Sequence, residues 1–536
     1  MAPLFVGSNS DDSRIRSNRV GLAASTSNPA SADTGDVYYN STDNKLNVYD
    51  GSDWAEAGGG GTLSGIASGT IPNGATVVIN LDETVSVVAQ TGSSNPGIGT
   101  TIVANSAYTT YLASVYDPDN EKVIIAYSAN DQGIAVVGTV SGDSITFGSN
   151  IIFNDDNTAH IQMAYDSSND KLVIAYRDAD SPNNTYYGTA IVGTVSGNSI
   201  TFGSPATFLS SSTQLIAMSF DSGSGKVVIA LRDNGASGYG KAVVGTVSGT
   251  SISFGSVTTF NSAGTIDLAI TYDSTNDKTV IFYRDQGNSQ YGTARVGTVS
   301  GTSISFGSET QFNWDDTREI AAVFDSSNNK VVVAYRDNES GGDEYGAAKV
   351  GTVSGTGITF GNEGIFNSTT TVSITAAFDS TKNKIVIPYE ESSGGNGKVV
   401  IGTVTGTGIT FTTPVLYANT NIRAYNVAAY DSANDRTVIA YSDDDGSEYL
   451  TVNVIKTDTL GTNLTASNFL GFSDAAYSDG DTVNIQIEGS VDDAQSGLTT
   501  ARKHYVQNDG TLSTTAGDPS VVAGTAISGT KIIIET

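Results

Sequence analysis

Tyr165-Asp-Ser-Ser-Asn-Asp-Lys-Leu-Val-Ile-Ala-Tyr176 joins an aromatic-Asp pair to a polar turn and a β-rich run. The same pair opens equivalent stretches at Tyr116, Phe220, Tyr272, Phe324, Phe378 and Tyr430, at intervals of 49, 55, 52, 52, 54 and 52 residues. A period of that length is one four-stranded blade with generous loops. The expected fold is all-β, a seven-bladed β-propeller, with an N-terminal segment before it and a small C-terminal β domain after it.

The composition agrees with strands and turns: of 536 residues 60 are Gly and 10 Pro, with abundant Ser, Thr, Val and Ile. No run of about 18 apolar residues is present to span a bilayer, and Met1 to Arg19 lacks the charged and apolar regions of a secretory signal. Membrane insertion and signal-peptide export are therefore not expected. With no cysteine, neither disulfides nor thiolate metal sites hold the chain together. The 56 acidic residues against 26 basic ones give a formal net charge of -30, which repels phosphate backbones and argues against nucleic acid as a partner.

Composition divides the chain. Residues 1–61 are polar and end in a glycine run after Trp54, an N-terminal segment with a flexible joint. Residues 62–96 read as a connecting β segment, 97–457 as the propeller, and 462–536 as a small β domain with different short strands. Within one repeat the pattern predicts four strands, Leu215 to Phe220, Lys226 to Leu231, Lys241 to Val247 and Ser251 to Phe254. Gly-Thr-Val-x-Gly turns starting at Gly138, Gly193, Gly245, Gly297, Gly351 and Gly402 mark the hairpin from third to fourth strand. The last repeat lacks that turn and breaks off at Lys456-Thr-Asp-Thr459. Residues 97–103, which resemble an outer strand, are expected to complete it and close the ring.

Candidate chemistry is sparse. The turns at Asp166, Asp273 and Asp325 gather oxygens, yet Asx capping of hairpins accounts for them without calcium. The best remaining cation candidate is Asp443 with Asp445. Arg177, Arg232, Arg284 and Arg336, each followed by Asp, end the second strand in four consecutive repeats and fall on one rim. Such a row could bind carboxylated or sulfated glycans, while its repetition with the blade favours structural pairing. Ser128, Glu390 and Ser442 break the row. Carboxylate pairs at Asp155-Asp156, Asp315-Asp316 and Glu390-Glu391 are adjacent in sequence, whereas glycosidase chemistry needs two carboxyls facing each other across a bond. His160 and His504 fall in different domains, so no His-dependent triad is expected. No catalytic residue and no cofactor is assigned. Trp314, in Phe312-Asn-Trp-Asp-Asp316, is either a sugar-stacking residue or a plug between blades.

The chain ends carry a resemblance. Gly35-Asp-Val-Tyr-Tyr-Asn-Ser-Thr-Asp-Asn-Lys-Leu-Asn-Val-Tyr-Asp-Gly-Ser-Asp-Trp54 resembles a β motif near the N-termini of tailed-bacteriophage fibre and structural proteins. Asn468-Phe-Leu-Gly-Phe-Ser-Asp474, Gly489-Ser-Val-Asp-Asp-Ala-Gln-Ser-Gly-Leu498 and His504-Tyr-Val-Gln-Asn-Asp-Gly-Thr-Leu512 resemble a small domain of marine phage tail proteins. The resemblance implies a virion protein, a tail fibre or adhesin joined to other virion proteins by its N-terminal segment and binding a host surface glycan or protein. It also implies a homo-oligomer such as a trimer. The alternatives are a propeller glycan depolymerase and a head-decorating capsid fibre.

Overall fold

The computed structural model describes residues 24–29, 37–42, 45–49, 52–56, 61–91, 95–179, 186–338, 344–392, 394–444, 448–457, 461–517 and 519–535. Two compact units divide the chain: 93–459, and a second unit made from 1–92 together with 460–536.

In the 93–459 unit every aromatic-Asp pair ends an inner strand, and the same antiparallel pattern follows each one. The third repeat shows it: Thr213–Asp221 pairs with Lys226–Asp233, which pairs with Tyr239–Ser248. That third strand carries an outer strand in two pieces, Ser251–Phe254 and the start of Thr258–Asp273. The four strands expected from sequence are all present, each extended by a residue or more except the last. Thr258–Asp273 then runs on to become the inner strand of the next repeat, so one continuous strand links neighbouring sheets.

The cores lie between sheets. One buried cluster combines Ile124, Val137 and Phe153 of the first repeat with Ile161, Leu172 and Tyr176 of the second. Equivalent clusters join the second to the third, and so on through the sixth to the last. A further cluster packs Val123 and Ile125 of the first repeat against Val438, Val452 and Val454 of the last, which makes the succession of sheets a closed ring. This is the propeller arrangement, each sheet burying both faces against its neighbours.

Closure follows the expected route. Gly97–Ile98 and Ile102–Asn105 pair with the third strand of the last repeat, Tyr449–Lys456, with Ile98 opposite Ile455 and Ile102 opposite Val452. The two pieces occupy the places that Ser251–Phe254 and Thr258 onward hold in the third repeat. Arg436 adds an ion pair across the seam to Asp143 at 3.0 Å.

Local chemistry explains the repeated residues. Each aromatic-Asp aspartate is buried. Asp325 Oδ1 accepts from the Ser327 and Asn328 amides at 3.0 Å, and Oδ2 accepts from the Asn328 side chain at 2.8 Å. These carboxylates are turn caps, as the Asx reading holds. The aromatic partner does more than pack: the Tyr272 hydroxyl accepts from the Gly223 amide of the preceding repeat at 2.9 Å, and Tyr430 donates to Thr381 at 2.6 Å. On the third strand, a Cβ at Gly292 would lie 2.6 Å from the Phe312 ring, so only glycine seats that phenylalanine.

In the other unit the segment read as a connector, 62–96, is structural. Thr62–Ile66, Thr482–Gln486, Phe469–Ser473, Thr76–Ile79 and Val85–Val87 form one five-stranded sheet in that order. The C-terminal β domain thus draws strands from both sides of the propeller, because Thr482–Gln486 and Phe469–Ser473 alone would leave sheet edges unpaired. A second sheet contains Val491–Asp492, Ile532–Ile534, Val521–Ala526, Lys503–Val506 and Leu512–Ser513. Further toward the N-terminus, Ala24–Ser25, Val37–Asn40, Lys45–Tyr49 and Trp54–Glu56 make a small four-stranded sheet. Most of the glycine joint lies outside the described residues.

Candidate functional site

The four arginines stand at one level of the ring. Each lies opposite the inner strand just before a register break: Ala159 faces Arg177, Gln214 faces Arg232, Ile266 faces Arg284 and Arg318 faces Arg336. Strand alternation turns the following Asp to the opposite face. Those aspartates brace the loops: Asp337 accepts from Asn313 at 2.9 Å and Tyr345 at 3.1 Å, and Asp285 accepts from Asn261 at 3.1 Å. No arginine of the row has an ion pair to the Asp that follows it among the described residues. Asp233 pairs instead with Lys241 at 2.5 Å.

The row divides by its partners. Arg284 binds Asp316 of the next repeat at 2.6 Å and lies 3.7 Å from Asp267, and Arg336 lies 3.4 Å from Glu344 and 3.9 Å from Glu319. These two are structural ion pairs. Arg177 instead stacks over the Tyr186 ring at 4.6 Å, and Arg232 lies over Gly238, where a Cβ would meet its Nε at 2.9 Å. In all four the Nε is buried without a hydrogen-bond partner, so any external contact falls to the Nη atoms.

Trp314 stands on the same end of the ring, in a bulge of the continuous strand Thr310–Asp325 where it passes from outer to inner position. Its indole is 64% exposed, which removes the plug reading. Tyr291 supports it edge-on at 5.8 Å. The bulge is locked: Phe312 is buried, Asn313 Nδ2 donates to Thr317 Oγ1 at 3.0 Å, and Thr317 Oγ1 donates to the Asp315 carbonyl at 3.0 Å. Asp316 accepts from Arg318 at 2.8 Å and from Asn338 at 2.9 Å. Although burial opposes it, these bonds and the nearby guanidiniums hold the Asp316 carboxyl below the usual range. The Asn-x-x-x-Thr clamp recurs at Asn154, Asn261 and Asn367. The spacing was in the sequence, and nothing but the fold shows that it fixes the bulge that carries Trp314.

A cavity of about 400 Å³ runs along the ring axis, lined by the inner strands. Its polar side chains include Tyr111, Gln162, His160, Asp267, Glu319, Tyr425 and Asn426, while the neighbouring Ile161, Ile216 and Ile320 are buried in the cores between sheets. Burial, with Arg177 nearby, lowers His160 to about 4, so the ring is neutral at pH 7. Burial raises both Asp267 and Glu319, and their mutual repulsion adds to the rise in Glu319. Beside them Glu390, which replaces arginine in the row, is pushed up to about 7 by burial and by Glu319, while its contact to Ser373 opposes the shift. Sequence reading missed this cluster because Asp267 and Glu319 are single residues in different repeats.

Of the adjacent carboxylate pairs, Glu390-Glu391 diverges. Glu391 takes Lys398 at 2.6 Å on one face of its strand while Glu390 is buried on the other. Asp443 is half-buried across from Tyr449, and Asp445 lies outside the described residues. Among the described residues no group of three or more His, Cys, Asp or Glu side chains is placed to hold a metal ion. His504 is a core residue of the other unit, accepting the Thr499 amide at 3.2 Å.

No family model and no curated protein matches the chain. Among solved structures, the BP39L lectin from Burkholderia pseudomallei aligns at 13% identity and a TM-score of 0.49, over 67% of this chain and 98% of that one. AofleA from Arthrobotrys oligospora aligns at 8% identity and 0.38, over 66% and 98%. A structure of the Dos1 propeller aligns at 12% identity and 0.39, over 68% and 96%. With every one of these scores at 0.49 or lower, the propeller assignment rests on the strand pairing and the closed series of inter-sheet cores.

Proposed function

We propose that this protein is a binding module without catalytic activity, whose propeller presents seven blades and engages carbohydrate through the end that carries Trp314. The observation that carries the reading is Trp314 itself, 64% exposed on a strand bulge held by the Asn313–Thr317 and Thr317–Asp315 bonds. Exposing so large an apolar ring costs solvation, and an indole backed edge-on by Tyr291 on a strand that also carries Asp316 and Arg318 suits a sugar face and its hydroxyls. The resemblance of the chain ends supports a place in a phage virion, as a fibre or adhesin on the tail contacting the host surface. Divergence of the Glu390-Glu391 pair supports binding over depolymerisation.

The test is binding of the full-length protein to host surface polysaccharide, with release of reducing ends followed in parallel. Saturable binding without new reducing ends is expected, and Trp314→Ala weakens it about three- to tenfold through loss of stacking. Polymer cleavage, or binding indifferent to Trp314→Ala, overturns the reading.

A further inference from the structure

The ring supplies its own internal comparison, since each repeat is a version of the same sheet. At one place on the inner strand six repeats break register and hold a non-glycine residue at positive φ: Tyr111 at 53°, His160 at 50°, Leu215 at 46°, Asp267 at 46°, Glu319 at 54° and Ser373 at 52°. Such conformations are uncommon and costly outside glycine, and they persist where the surrounding structure enforces them. The next residue is aliphatic in all six, Leu112, Ile161, Ile216, Leu268, Ile320 and Ile374, and the one after it is Ala in four, with Gln162 and Thr375 in the other two. The bulge residues themselves are all different. Five of these bulge residues, Tyr111, His160, Leu215, Asp267 and Glu319, line the axial cavity, so the position that differs from repeat to repeat is one that faces it.

The arrangement has two sides. Tyr111 lies 5.0 Å from His160 and 5.2 Å from Tyr425, centroid to centroid, a continuous aromatic wall. Asp267 and Glu319 give the polar side, with the Glu319 amide hydrogen-bonded to Asp267. Arg284 and Arg336 stand behind these carboxylates at 3.7 and 3.9 Å. The volume of about 400 Å³ fits one compact ring-shaped molecule. We propose that the axial cavity is a second binding site, taking a single neutral pyranose whose ring lies on Tyr111 and whose hydroxyls donate to Asp267 and Glu319. Stacking faces opposite paired acceptors suit a polyol, and the guanidiniums behind the carboxylates offset the charge that would otherwise select an ammonium group. This goes beyond the surface reading and uses none of its residues.

The experiment is ligand-detected NMR and calorimetry on the full chain with methyl α-mannoside, methyl β-galactoside, N-acetylglucosamine and glucosamine. Each is offered at about 10 mM, where a site with a Kd near 1 mM is roughly nine-tenths filled. At least one neutral sugar saturates. Asp267→Asn and Glu319→Gln each weaken it about tenfold, the loss expected for a hydrogen bond to a charged acceptor. Both variants keep the fold, because Arg284 retains Asp316 and a glutamine still accepts from the Ser373 amide, which now reaches Glu319 at 3.1 Å. Polysaccharide binding that depends on Trp314 stays unchanged in both, which separates this site from the surface one. Absence of saturation by every neutral sugar, binding indifferent to both variants with unaltered melting, or preference for glucosamine beyond about tenfold each overturns the proposal.

Discussion

At the scale of single residues, the chain separates positions that hold the frame from positions that face outward. Asp325 is wholly buried and accepts three hydrogen bonds within its own turn. Asp325→Ala leaves two backbone amides without acceptors and is expected to cost about 1–3 kcal/mol in urea unfolding. Gly292→Ala is expected to cost a similar ~1–3 kcal/mol, since its Cβ would stand 2.6 Å from Phe312 and 2.8 Å from Thr317 Oγ1. Trp314→Ala, by contrast, changes stability by no more than about 0.5 kcal/mol, because an exposed side chain contributes little to the core. A melting shift for Trp314→Ala comparable to that of Gly292→Ala would show that the indole is structural after all. The turn aspartates were legible from the sequence because every partner lies within three residues. The Asp267–Glu319 cluster was not, since 52 positions separate its members.

Among elements, the outer strand of the last sheet and the second strand of the sixth have the clearest consequences. Gly97–Ile98 and Ile102–Asn105 cover the edge of Tyr449–Lys456. Deleting residues 97–105 exposes that edge and unlocks the ring, so the expected result is loss of more than about 3 kcal/mol and a lower denaturant slope as repeats unfold separately. An unchanged midpoint and slope would mean that closure rests on the inner and middle strands alone. On the second strand of the sixth repeat, Glu390 has a native pKa of about 7, above its ordinary 4.5. The folded state therefore binds a proton that the unfolded state has released. Stability from this group is present below about pH 4.5 and falls as pH rises through 7, by about 1–2 kcal/mol after allowance for solvent screening. Glu390→Gln should flatten that decline and raise Tm at pH 8. A decline of equal size in the variant would assign the effect elsewhere.

For the whole molecule, the decisive feature is that the propeller is inserted into another unit. Strands before residue 92 and after residue 460 share one sheet, with Thr482–Gln486 paired to Thr62–Ile66 and Phe469–Ser473 paired to Thr76–Ile79. A fragment of 462–536 is expected to remain unfolded by circular dichroism and proton NMR dispersion, because six of the seventeen buried residues in its two core clusters, among them Val77, Val78 and Val85, are missing. A fragment of 93–459 is expected to fold cooperatively, since it retains every inter-sheet cluster and both pieces of the closing strand. Folding of 462–536 by itself would mean that the shared sheet is dispensable.

The sequence alone determined the repeat, the strand order within it, the closing role of residues 97–103 and the capping turns. Each is encoded by spacing along the chain, either within a few residues or at a fixed period that survives without coordinates. Only the tertiary structure decided the rest: which arginines meet a carboxylate, that Trp314 stands exposed, that residues 62–91 belong with 469–486, and that five unlike bulge residues converge on one axis. The physical reason is that these depend on where separate strands meet. Closing a ring brings residues 50 or more positions apart into contact, and no local pattern records which side chain each will face.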